Sequence, residues 1–182
     1  MSIKNCDDCA MCCMIMGIRE LNKPQNVWCD FCSTKRSCDN YEKRPEECRT
    51  FNCGYLTISY LDDKWKPNKS KIVLSQELQG RRVTAYADPK RPDAWRKEPY
   101  YSTLKNWAKI AATQNRQVMA CAGPRTYMIF PDRDVDLGIV EPDHHVITVN
   151  AANGSGGEAL VVHQDDPRFE AFIKQSWHMD TR

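Results

Sequence analysis

Cys6-Asp-Asp-Cys9-Ala-Met-Cys12-Cys13 opens the stretch whose reading decides the fold, and Cys38-Asp-Asn-Tyr-Glu-Lys-Arg-Pro-Glu-Glu-Cys48-Arg-Thr-Phe-Asn-Cys53 closes it. Cys29-Asp-Phe-Cys32 lies between them. The segment holds nine of the ten cysteines, and the tenth, Cys121, comes far downstream. Few aliphatic residues separate these cysteines, so a module built from residues 6–53 alone cannot bury much apolar surface and needs cross-links or metal. In a reducing compartment, dense cysteines favour metal over disulfides.

The spacing carries chemistry. A CxxC loop turns two sulfurs inward while backbone N–H groups point at them, and extending it to CxxCxxC places three sulfurs around one centre. Cys12 and Cys13 are adjacent and cannot comfortably serve one tetrahedral ion together, so one of them faces a second metal or bridges two. Cys6, Cys9, Cys12, Cys13, Cys29, Cys32, Cys38, Cys48 and Cys53 are therefore the expected metal ligands. Nine thiolates suit a polynuclear zinc site with bridging sulfurs, or two four-cysteine zinc sites with one cysteine over. The alternative is a [4Fe-4S] cluster on CxxCxxC with a distant fourth cysteine. Residues 1–53 contain no histidine, which argues against an open catalytic zinc and for a closed site that mainly stabilises.

The chain has 182 residues and a net charge of +2, with 26 basic and 24 acidic residues. Residues 1–53 carry eight of each sign and the remainder eighteen basic and sixteen acidic, so neither part is a basic arm and nucleic acid is not an expected partner. Metal-bound thiolates would make the first part strongly negative, and Lys35, Arg36, Lys43, Arg44 and Arg49 lie between cysteines where they can offset that charge. Arg44 and Arg49 also suit N–H donation to thiolate sulfur. The N-terminus shows no secretory pattern and no stretch is long enough to span a membrane, so a cytoplasmic protein is expected, with an unidentified protein or small ligand as partner.

Outward from the cysteines, Pro24 breaks the connector 17–28, and a short helix is expected near Arg44-Pro45-Glu46-Glu47, with Cys48 at its end. Residues 54–70 form a transition that closes on the turn Pro67-Asn68-Lys69-Ser70. The division is residues 1–56 as a cysteine-rich metal module and residues 57–182 as an α+β domain of unassigned role. Strands are expected at Lys71–Ser75, Arg82–Ala87, Gln117–Cys121, Thr126–Phe130, Val135–Val140, Val146–Val149 and Ala159–Val162, with turn signals between them. Tyr100, Leu104, Trp107, Ala108 and Ala111 give residues 99–114 a helical face, and Pro167–His178 reads as a closing helix. The fold class is thus α+β: a metal-stapled cysteine module, then a mostly antiparallel sheet with two helices.

The pattern CxxCxxCC, a cysteine, then Tyr-x-x-Arg-Pro-x-x-Cys-Arg-x-Phe-x-Cys resembles a family described as a zinc- or iron-chelating domain, the YkgJ-type cysteine-cluster family. Eight cysteines fit, Cys6, Cys9, Cys12, Cys13, Cys29, Cys38, Cys48 and Cys53, together with Tyr41, Arg44, Pro45, Arg49 and Phe51, over residues 6–53, and Cys32 is additional. The resemblance implies bound zinc or iron. A flagellin lysine methylase shares the motif, which implies by analogy a modification enzyme, and the alternative function is an iron–sulfur cluster protein with redox or methyl-transfer-associated enzyme activity.

Outside this segment the signals are thin. Asp132, Asp134 and Asp136 alternate and could bind a cation or perform acid–base work, but an exposed strand face or turn is the simpler account and the one expected. His144 and His145 fall on opposite strand faces and cannot chelate together. The run Asn153-Gly154-Ser155-Gly156-Gly157 lacks the helix and lysine of a phosphate loop, and Cys121 reads as a small core residue.

Overall fold

A computed structural model of the chain describes residues 4–6, 8–33, 37–151 and 154–171. Five short or moderate helices are described: α1 (Met11–Ile15), α2 (Glu46–Thr50), α3 (Gly54–Thr57), α4 (Pro67–Ser70) and α5 (Tyr100–Thr113). Seven strands accompany them: β1 (Ile72–Glu77), β2 (Arg82–Ala87), β3 (Gln117–Ala122), β4 (Arg125–Ile129), β5 (Asp134–Ile139), β6 (His144–Asn150) and β7 (Gly157–His163). They form a five-stranded sheet in the order β1-β2-β3-β4-β5 and a separate two-stranded sheet, β6-β7. The fold is α+β, and the pairs β1/β2, β4/β5 and β6/β7 are antiparallel. Among the described residues no helix is long and apolar enough to cross a membrane.

The chain divides into two compact units, Met1–Tyr101 with Cys121–Gly123, and Ser102–Ala120 with Pro124–Arg182. In the first unit, Ile72, Val73 and Leu74 of β1 are almost fully buried on both faces of the strand. Helix α1 turns Met11, Met14 and Ile15 onto Val73, and Trp28, Phe51 and Tyr86 pack against the same cluster. The cysteine segment is therefore not short of apolar contacts, as its composition suggested, because it borrows β1 for its core. Helix α3 approaches β1 so closely that a Cβ at Gly54 would meet Leu74 Cβ at 2.7 Å.

In the second unit, Leu104, Ala108 and Ala111 make the buried stripe of α5. Met119, Met128, Phe130 and Val146 form the core, flanked by Val135, Leu137 and Val161. Lys105 Nζ donates to the Phe130 carbonyl at 2.5 Å and to Asp134 Oδ1 at 3.1 Å. A bulge between Thr126 and Tyr127 shifts the β4/β5 register, and Gly138 at φ +71° takes the conformation that accommodates it.

Two local expectations are corrected. The helix after Pro45 starts one residue later, because Pro45 has an extended ψ of 159°, so Cys48 lies inside α2. Pro67–Ser70 is a turn of helix ended by Lys71 at φ +63°. The closing helix is helical over 167–171, and its expected continuation to His178 lies outside the described residues, as do Lys35, Arg36 and Asn153.

Candidate metal centre

The cysteines reach their places through tight local turns. Cys9 N–H donates to the Cys6 carbonyl at 2.8 Å, folding the first CxxC, and Cys32 N–H donates to the Cys29 carbonyl at 3.0 Å, folding the second. Cys29 N–H donates to the Cys13 carbonyl at 3.0 Å, which brings the second loop to α1. Cys53 is the residue before α3; it forms no capping hydrogen bond, yet the N–H groups of Tyr55 and Leu56 face its sulfur and favour the thiolate. The N–H groups of Met11 and Asn68 act the same way on Cys9, and that of Asn40 on Cys38.

Cys6, Cys9, Cys12 and Cys53 line one cavity of about 20 Å³, together with Tyr55 and Val73. That is room for one water-sized occupant. Cys29 and Cys32 are buried against Ala10, with Cys13, Leu21 and Trp28 packed on them. From Cys9 to Cys53 the cysteines are thiols outside any disulfide. Among the described residues, no three His, Cys, Asp or Glu side chains are drawn together closely enough to hold an ion.

Burial pushes the thiols of Cys32, Cys48 and Cys53 up to about 11. Cys13 is pushed far higher, first by its hydrogen bond with the Cys12 thiol and then by burial. Without a cation these sulfurs are neutral; a divalent ion beside them would reverse the balance and deprotonate them.

One site residue carries no sequence signal. Lys23 is only 9% exposed, and its ammonium donates to the carbonyls of Met14 at 3.3 Å, Met16 at 2.5 Å and Pro24 at 3.0 Å. Burial lowers its pKa, and the nearby Cys29, Cys13, Cys12 and Cys48 sulfurs oppose that shift. Lys23 thus places a positive charge under the sulfurs. A lone lysine in a connector, followed by proline, gives no hint of this.

Arg19 donates to Glu47 from its backbone N–H at 2.6 Å and its Nε at 2.8 Å, and Glu47 N–H donates to Glu20 at 3.1 Å. These bonds tie the turn after α1 to α2, the helix that carries Cys48. Arg49, expected to donate to sulfur, instead donates to the Arg44 and Glu42 carbonyls. Arg44 lies 3.8 Å over the Tyr41 ring, within charge range of Cys48 and Cys38. No protein-family model matches the chain, and no curated protein or solved structure is similar to it.

The other candidates resolve into ordinary contacts. Asp132, Asp134 and Asp136 pair with Arg133, Lys105 and Arg125 respectively. His144 lies across the β6/β7 ladder from His163, and His145 stacks on Phe169 at 4.0 Å. Cys121 is half-buried beside Arg82 and Tyr86 rather than in the core.

Proposed function

We propose that residues 6–53 form a thiolate metal centre that binds zinc and whose main task is to hold this part of the chain in shape. The observation that carries the reading is a small cavity lined by Cys6, Cys9, Cys12 and Cys53, residues drawn from two separated parts of the sequence. Four thiols with no histidine or carboxylate among the lining residues are the donor set of a closed structural zinc site. N–H groups aimed at Cys9 and Cys53 supply the outer contacts that ligand sulfurs require. Zinc would supply charge and cross-linking there, and the residues holding it would be these four cysteines with further sulfurs from the remaining five. The resemblance to a zinc- or iron-chelating family supports the same reading, and it rests on the motif alone. Free thiols in such number fit a reducing, cytoplasmic setting.

The same four residues are also the CxxCxxC triplet plus a distant cysteine that hold a [4Fe-4S] cluster, and this spacing favours iron as the second reading. Under it, the redox or methyl-transfer-associated role implied by the motif would apply. Elemental analysis and an absorption spectrum of anaerobically purified protein separate the two. Zinc in stoichiometric amount with no visible absorbance is the expected result. Brown protein with absorbance bleached by reductant establishes iron–sulfur instead, and metal-free protein removes both.

A further inference from the structure

Strands β6 and β7 meet at one end in a pair of histidines. His144 lies opposite His163 in the ladder, and their rings stand edge to face with centroids 5.3 Å apart. Asp143, just before β6, serves both: its Oδ1 lies 2.7 Å from His144 Nδ1 and its Oδ2 3.3 Å from His163 Nε2. The hydrogen bond with His144 holds the Asp143 carboxyl below the usual carboxylate range, so it stays ionised while histidines change charge. His163 has a second set of neighbours on its other ring nitrogen. Its Nδ1 accepts the Asp165 backbone N–H at 3.2 Å, and Asp165 Oδ2 lies 3.4 Å from the same atom. An accepting ring nitrogen carries no proton, so this ring is neutral with its proton on Nε2, facing Asp143. Nδ1 therefore has two exclusive partners on one residue: an N–H that needs its lone pair, and a carboxylate that needs a proton on it.

Asp165 sits in the turn that starts the helix over 167–171. Gln164 N–H donates to the Asp143 carbonyl at 2.8 Å, Asp166 N–H to the His163 carbonyl at 2.9 Å, and Phe169 N–H to the Asp166 carbonyl at 2.9 Å. The Phe169 ring then stacks flat on His145 of β6, at 4.0 Å and 3°. We infer that His163 is a proton-operated switch that sets the 164–166 turn and, through it, the seating of Phe169 on His145. When a proton from solvent adds to Nδ1, the bond from the Asp165 N–H breaks and the new Nδ1–H donates to the Asp165 carboxylate. The Nε2–H stays on Asp143, and no electron moves. Among the described residues, the titratable groups in contact with His163 are Asp143 and His144 from the β6 side and Asp165 from its own turn. The two carboxylates face the imidazolium with opposite charge, and a protonated His144 faces it with like charge. The switch lies within the second unit and is independent of the metal reading.

The test is an NMR titration of the full chain, labelled with nitrogen-15, from about pH 8 to about pH 5, the span in which histidine changes charge. At the upper end the imidazole nitrogen shifts should show the proton of His163 on Nε2. As His163 charges, the Asp165 amide should exchange about five- to tenfold faster, after correction for the intrinsic effect of pH, as a donor does on losing its bond. The Phe169 ring signals should move with the same midpoint. His163→Asn keeps an acceptor near the position of Nδ1 but cannot charge, so Asp165 and Phe169 should hold their high-pH signals throughout. His144→Gln removes the other imidazole from Asp143 and should leave the response in place. A proton on Nδ1 of His163 at pH 8 overturns the inference, as does an Asp165 amide that ignores the charging of His163. Phe169 signals that follow the His145 imidazole instead, or a response lost in His144→Gln and kept in His163→Asn, overturn it too. Should a variant fail to fold, the wild-type titration decides by itself, because the proton position and the shared midpoint are both read there.

Discussion

The Lys23 ammonium donates to the Met16 carbonyl at 2.5 Å, and this is one of three bonds it makes to backbone carbonyls, the others being Met14 and Pro24. A buried lysine is usually a cost, since its charge must leave water. Here it satisfies the carbonyl of Met14 near the end of α1 and those of Met16 and Pro24 in the irregular connector. Lys23→Met keeps the apolar stem and removes the donor, and each buried carbonyl left wanting costs about 1–3 kcal/mol. The expected loss is about 2–4 kcal/mol of unfolding free energy, measured by urea denaturation at constant metal content. A change below about 0.5 kcal/mol would show that water takes over the three bonds.

Gly54 is required by approach rather than by backbone angle. A Cβ there meets Leu74 Cβ at 2.7 Å and the Leu74 carbonyl oxygen at 3.4 Å. Neither atom can swing away, because one is the root of the side chain and the other is backbone of β1. Gly54→Ala should cost about 1–3 kcal/mol and displace Cys53, its chain neighbour. Gly17→Ala is the control: its new Cβ meets the Gln25 Cγ, a flexible side chain, at 3.2 Å. Equal thermal denaturation of the two variants would contradict the assignment.

Much of the fold was legible in the sequence. Arg82–Ala87 appears as a strand with the expected ends, since Val83, Thr84 and Tyr86 are strand formers set between a glycine turn and a proline. Helix α5 was legible from the spacing of Leu104, Ala108 and Ala111. Which strands share a sheet was not, because β6 and β7 carry no local mark that separates them from β1 to β5. The packing of Met11 and Met14 on Val73 was equally hidden, for it joins residues some sixty positions apart. Lys23 was missed for a related reason: its burial depends on a turn that only the folded chain makes.

Removing metal should loosen the first unit unevenly. Among the described residues of 29–53, Cys29, Cys32 and Cys53 are the buried ones, whereas α1 lies on β1 through Met11, Met14 and Ile15. Hydrogen exchange after chelation is expected to rise through residues 29–53 while β1 and β2 keep their protection. Uniform loss across both strands, or no change anywhere, would count against a metal that holds the cysteine loops.

Asp166 shows how the end of β7 is coupled to pH. Its carboxylate accepts from the Arg168 backbone N–H at 2.8 Å and from the Arg168 guanidinium at 2.7 Å and 3.0 Å. The guanidinium holds its pKa down at about 2. The folded value lies below the unfolded value of about 3.9, so the contribution is fully present above pH 4 and is lost as pH falls toward 2. The carboxylate is solvent-exposed, so the effect on stability is small, and the titration itself is the readout. Carbon NMR of the Asp166 carboxyl should show the low value in wild type and a return toward 3.9 in Arg168→Met.

Lys105 and Asp134 form the least exposed well-formed ion pair described in the second unit, with side chains 17% and 14% exposed. The ammonium also donates to the Phe130 carbonyl, so it ties α5 to the end of β4 and the start of β5 at once. Lys105→Met leaves a half-buried carboxylate without this cation, and should cost about 2–4 kcal/mol. Asp134→Asn keeps an acceptor and removes the charge, so it should cost less. Because both changes act on one contact, the double variant should be less damaged than the two single losses added together. A coupling of about 1–3 kcal/mol in the double-mutant cycle is expected. Additive losses would mean that Lys105 acts through the Phe130 carbonyl alone.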